Sequence, residues 1–298
     1  MSSFTRQLQF GTRANPQMIP MFQGGPADIS EAGYSSETPY LNGGAGVRNS
    51  VGGHMVYNLV WGPSHERDDI RPILDYANGL FDTTDNVELL YFIDPVAEDR
   101  NVLPMAWSFP AQGARDAIPL VADASGPLRP AQAPTPSNTQ GYPARSAVYT
   151  LVGTETARVL YLPIPPGYCA WIGAMGSSTS SAGVQVTPFT GPTAGDVIPL
   201  TLLDVTDPSR FNVSVSTADA YTGLEIQLTV AAGTLTLSGL MVQMLPVGAT
   251  PVTGGFISGQ GHSGCEFSGK PVQSPYTIAP GLDRIGITAR LVETGDWL

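Results

Sequence analysis

The chain has 298 residues and a mass of 31.3 kDa, enough to bury an ordinary hydrophobic core without disulfides or metals. Charged residues make up 13%, about half the usual share, while glycine (34) and proline (27) are abundant, which excludes a helical bundle or coiled coil and favours a mainly β, turn-rich body. The net charge of −11 argues against a specific nucleic-acid partner and against docking on an anionic membrane.

Residues 1–53 show little apolar periodicity and carry Asn42, Gly43 and Gly44 as a turn signal, so they read as an extended N-terminal arm suited to subunit contacts. The opening residues lack the apolar run of a secretory leader, and no run reaches the ~18 apolar residues of a membrane span, so a soluble chain made in a cytoplasm is expected. In HMVYNLVW (54–61), Met55, Tyr57, Leu59 and Trp61 alternate with Val56, Asn58 and Val60, the period of a strand that Gly62 and Pro63 should end. A helix is predicted over about 70–78. Ile70, Ile73, Leu74 and Ala77 form its apolar face, Asp69 its cap, and Gly79 its left-handed stop, with Pro72 in the first turn. VELLYFID (87–94) reads as a further strand.

The stretch 122–143 holds five prolines and marks a boundary, with 131–144 as a Pro-rich linker. Beyond it, eight short apolar runs recur between turn signals, at about 146–152, 157–162, 168–174, 183–188, 197–203, 211–216, 224–230 and 234–244. That spacing predicts an inserted jelly-roll β-sandwich over 145–246. At the C-terminal end, Ile285, Ile287, Ala289 and Leu291 alternate with Gly286, Thr288, Arg290 and Val292. A lone strand is unstable, so 247–298 is expected to return to 54–130 as one discontinuous domain.

Chemistry-bearing patterns are weak. Cys169 and Cys265 form no CxxC pair and read as free thiols, and His54, His65 and His262 have no metal-ligand spacing. Gly261–Cys265 lacks the final glycine of a nucleophile elbow, residues 82–86 miss a calcium-loop pattern, and Glu98 beside Asp99 sets no useful carboxylate separation. No catalytic group, metal or cofactor is expected. Among the aromatics Tyr149, Tyr161, Tyr168, Trp171, Phe189 and Tyr221, three are candidates for stacking on a sugar ring: Tyr168, Trp171 and Tyr221.

Three stretches carry a family resemblance. LYFIDPVAEDRNVLPMAWSFP (90–110), GFISGQGHSGCEF (255–267) and the final ITARLVETGDWL (287–298) resemble blocks of minor tail proteins of long-tailed phages infecting GC-rich actinobacteria, with Cys265 standing where an apolar residue is expected. Thirteen of the 14 basic residues being arginine agrees with such coding. The resemblance implies a non-enzymatic, distal-tail-protein-like component of the virion tail tip, assembled in the host cytoplasm. It implies a symmetric homo-oligomer, a hexamer first with a trimer as the alternative, that touches the tail tube, hub and tape measure. Its appended sandwich would be galectin-like or like a carbohydrate-binding module, and the alternative role is an adhesin for a host-surface glycan. Trp107 and Trp297, each in a matching block, are expected to be buried in a core or subunit interface. Arg48, Arg100, Arg115 and Arg129 are candidates for carboxylate pairing between subunits.

Overall fold

A computed structural model describes residues 7–11, 16–20, 28–32, 35–39, 45–49, 54–80, 91–93, 100–111, 120–136, 140–207, 209–251, 255–259, 261, 264–279 and 282–293. The protein is mainly β, built from antiparallel sheets. It divides into two compact units. The first comprises residues 1–5, 20–89 and 264–295, and the second 6–19, 90–263 and 296–298.

In the first unit the alternating C-terminal segment forms the strand Leu282–Glu293, paired antiparallel with His54–Glu66. Cys265–Phe267 and Val272–Ala279 pair with its other edge, and Asp28–Ala32 pairs with the far edge of His54–Glu66. The register sets Ile287 opposite Trp61, Ala289 opposite Leu59 and Leu291 opposite Tyr57, and all six are buried. Gly62 and Pro63 do not end the strand as expected. Three residues stand between Trp61 and His65 against one between Ile287 and Ile285, so the irregularity is absorbed as a bulge.

The strand runs directly into the helix Arg67–Ala77, which starts earlier than the sequence suggested. Asp69 therefore lies inside the helix rather than at its cap, and Pro72 falls beyond the first turn. Ile70 and Ile73 are fully buried, whereas Leu74 and Ala77 are half-buried. Gly79, at φ +70°, closes the helix in a Schellman motif, with Leu80 N donating to Asp75 O and Gly79 N to Tyr76 O.

In the second unit two five-stranded antiparallel sheets dominate. One has the order Ala131–Pro134, Arg145–Leu151, Gly233–Pro246, Tyr168–Ser178, Val213–Ser216. The other runs Val159–Pro163, Gly223–Leu228, Val184–Thr190, Thr193–Ala194, with Ile198–Leu200 also on Val184–Thr190. Alternate residues of both sheets, among them Tyr149, Leu160, Ile172, Val186, Ile226 and Val242, fill one buried cluster. Val102, Leu103, Trp107, Leu120 and Val121 belong to the same cluster. Residues 90–130 and 247–263 thus fall in the unit that holds 145–246, not in the one that holds 54–89.

The stretch 131–144, read as a linker, contains the edge strand Ala131–Pro134, with Ala131 opposite Val148. Proline is tolerated there because an edge strand leaves one side unpaired. The strand expected over 87–94 is described only as Tyr91–Ile93, which pairs with Gln7–Gly11 in a small separate sheet beside Pro16–Pro20. The arm thus contributes strands to both units.

This packing sets an expectation for truncated chains. Residues 90–263 should unfold in one cooperative transition. The shorter piece 145–246 loses Trp107, whose packing alone is worth ~3 kcal/mol or more, together with the edge strand. Its midpoint in a circular-dichroism melt should lie at least ~10 °C lower. Equal midpoints would contradict the shared core.

Candidate functional site

Two polar constructions stand out in the second unit. The first is centred on Asn101, which is wholly buried. Its Nδ2 lies 2.9 Å from Ser108 Oγ, 3.1 Å from Leu240 O and 2.9 Å from Ile257 O. Its Oδ1 accepts from Val242 N at 3.1 Å and from Leu103 N at 3.3 Å. Ser108 Oγ in turn accepts from Gly259 N, and Leu103 O accepts from Gly261 N. One side chain therefore ties together the segments 101–108 and 255–261 and the strand Gly233–Pro246. Glycine at 261 is dictated by this approach, because a Cβ there would sit 1.7 Å from Val102 O.

The second lies on the outward face of the sheet. Along Tyr168–Ser178, Ala170, Ile172 and Ala174 point into the main core. Trp171, Gly173 and Met175 alternate to the other side, opposite Gln243, Met241 and Gly239. That face is not bare. Tyr142, Val205 and Phe211 are buried over Met175 and Met241, with Leu203, Phe256, Ile257 and Trp171 around them. The absence of a side chain at Gly173 lets the backbone of Arg210 press onto the sheet. Tyr142 and Phe256 pack ring on ring at 4.9 Å above Gly239.

Arg210 is held in this layer at φ +57°, with no accessible surface although the cover over it is thin. Its Nη2 donates to Gln140 Oε1 at 2.6 Å, and the guanidinium lies 5.7 Å from the centre of the Tyr142 ring. Among the described residues no carboxylate comes within ion-pairing distance. Arg210 Nε and Nη1 make no hydrogen bond, and neither does the buried Trp171 Nε1. Desolvation lowers the arginine's pKa from its ordinary value. Desolvation also pushes Tyr142 up to about 12, with the Arg210 charge opposing and Asp207 adding to it. A buried charge without a counter-charge is costly, so three unanswered buried donors in one layer are the strongest chemical anomaly among the described residues.

The residues singled out from sequence are scattered. Trp107 is buried in the main core. Trp297 and Arg115 lie outside the described residues, and Arg48 sits in the strand Ala45–Asn49 opposite Ser36. Arg100 and Arg129 are exposed. Tyr168 and Tyr221 are half-buried against the main core, whereas Trp171 belongs to the outer layer. The structure therefore does not bring the three stacking candidates to one surface. Neither Cys169 nor Cys265 is part of a disulfide and both are buried, and burial raises the Cys169 thiol's pKa. His262, Glu98, Asp99 and residues 82–86 lie outside the described residues. Among those described, no cluster of three or more metal-ligating side chains occurs, and no helix is long and apolar enough to cross a membrane.

Asn101, Gln140, Tyr142 and Arg210 were missed by sequence reasoning. Asn101 stood in the block NVLP (101–104) as an available signal; nothing in SRFN (209–212) distinguishes Arg210 from a surface loop residue. No family model matches the chain, and no curated protein or solved structure matches it either.

Proposed function

We propose that the chain is a structural minor tail protein of a phage tail tip, assembling as a symmetric ring or baseplate layer that joins tail tube and hub. One observation carries the reading. The blocks 90–110 and 255–267, which carry the resemblance and lie some 150 residues apart, meet through Asn101: its side chain bonds to Ile257 O, and Pro104 forms a bridge with Gly261. Matches of chance origin have no reason to converge on one hydrogen-bonded joint. The role asks for complementary surfaces on a rigid framework rather than for reactive groups.

The strand order supports a jelly-roll sandwich as the framework. From Arg145–Leu151 onward the chain passes between the two sheets at nearly every connection, the pattern of interlocked Greek keys. Light scattering on the purified full chain, coupled to size exclusion, tests the assembly. A mass of about six protomers of 31.3 kDa each is expected. A monomer at every concentration would overturn the ring.

A second reading is favoured by the outer layer: glycan binding at the host surface through residues 145–246. Trp171 offers a half-buried indole in the same layer as a buried arginine with unpaired donors, the mix of apolar and polar groups that sugar sites use. A glycan array probed with the full chain tests it, and a blank array would remove it.

A further inference from the structure

We propose that Arg210 and Trp171 anchor a site for a carboxylate-bearing sugar, a uronic-acid unit, on the outward face of the sheet. The proposal rests on the second reading above and gives it a ligand class.

The guanidinium sets the charge. It carries five N–H donors, and Gln140 Oε1 takes one of those on Nη2. Nε and Nη1 take no partner. Whichever Nη2 hydrogen Gln140 occupies, the other lies beside an unused Nε–H or Nη1–H. One two-donor edge therefore stays unpaired, and that edge fits the two oxygens of a carboxylate. Gln140 is only half-buried, so its side chain can swing aside and admit a ligand without disturbing the sheet. Its neutral amide oxygen already stands where an anionic oxygen would be bound more strongly.

The neighbours select a sugar over a simple acid. Trp171 is on the same strand face as Gly173, one pleat or about 7 Å along, and Gly173 is where the Arg210 backbone touches the sheet. Its buried Nε1 is a donor with no partner. A uronate presents a carboxylate, hydroxyl acceptors a few ångströms away and an apolar ring face. These match the arginine edge, the indole N–H and the ring of Trp171 together. Acetate matches the first alone. The net charge of −11 works against polyanions approaching this chain, which leaves a singly charged unit as the better fit.

The test uses the full chain with D-glucuronate, D-glucose and acetate, read by isothermal titration and by thermal shift. Glucuronate should bind and raise the melting midpoint, with glucose and acetate at least ~10-fold weaker. Arg210→Gln should weaken glucuronate by roughly 10- to 100-fold, the loss of charge-assisted hydrogen bonds. The same variant should melt no lower than wild type without ligand, because an uncompensated charge has been removed. Should Arg210→Gln fail to fold, Trp171→Phe keeps the ring, removes the N–H and should still weaken binding several-fold. Binding of glucose as tight as glucuronate would overturn the acidic-sugar assignment and leave the glycan reading standing. An equal response to acetate would overturn the sugar. No response to either sugar would overturn this site, while the glycan reading itself stands or falls with the array.

Discussion

Asn101→Ala is expected to destabilise the second unit by about 4 kcal/mol or more in urea unfolding of the full chain. The alanine leaves Val242 N and Leu103 N as buried donors without the oxygen they now share. It also strips the amide from Leu240 O and Ile257 O. Each orphaned buried group costs ~1–3 kcal/mol, and Asn101, Val102, Leu103 and Leu240 are all buried. Asn101→Asp separates the two halves of the network. Its carboxyl can still accept from Val242 N and Leu103 N, but its second oxygen faces two carbonyls. Burial and those carbonyls keep this carboxyl protonated in the folded chain above its unfolded pKa. The unfolded state then releases the proton first, so stability should fall as pH rises from 4 to 7. A pH-independent loss in Asn101→Asp, or a cost below ~1 kcal/mol in Asn101→Ala, would contradict the arrangement.

Gly173→Ala should cost about 3 kcal/mol and act on the outer layer alone. The new Cβ would fall 1.6 Å from Arg210 O and 2.7 Å from its carbonyl carbon. Those are backbone atoms, so the loop 209–211 must lift off the sheet. Gly173 faces away from the main core, which should keep its packing. Iodide should then reach Trp171 more readily than in wild type. Gly183→Ala is the matched control, because its nearest atom would be Thr229 Oγ1 at 3.6 Å, an ordinary contact. Equal effects from the two substitutions would remove the case that glycine at 173 is there for the arginine loop.

Much of the framework could be read from local pattern. Leu282–Glu293 announced itself through four alternating apolar residues, and the eight runs within 145–246 fall close to the observed strands, such as Val184–Thr190 and Gly233–Pro246. Period-two burial is a local property, so it shows in sequence. The edge strand Ala131–Pro134 was hidden by its prolines, which mimic a linker until the partner Arg145–Leu151 is known. The joint at Asn101 was hidden for a different reason. Its partners Leu240 and Ile257 lie 139 and 156 residues away, and no window along the chain contains them. Arg210 was hidden most deeply, because its loop sits where the missing side chain of Gly173, on a strand distant in sequence, lets its backbone approach.

The pairing of His54–Glu66 with Leu282–Glu293 has a consequence for how the chain is made. At ~5–20 residues per second, the ribosome needs roughly 10–45 s to travel from the first of these strands to the end of the second. During that interval the contiguous stretch 90–263 can emerge whole and close its own core, while Tyr57, Leu59 and Trp61 wait without the strand that covers their edge. A nascent chain that stalls or is cut before residue 282 therefore presents an open, apolar strand edge, which invites pairing with other chains.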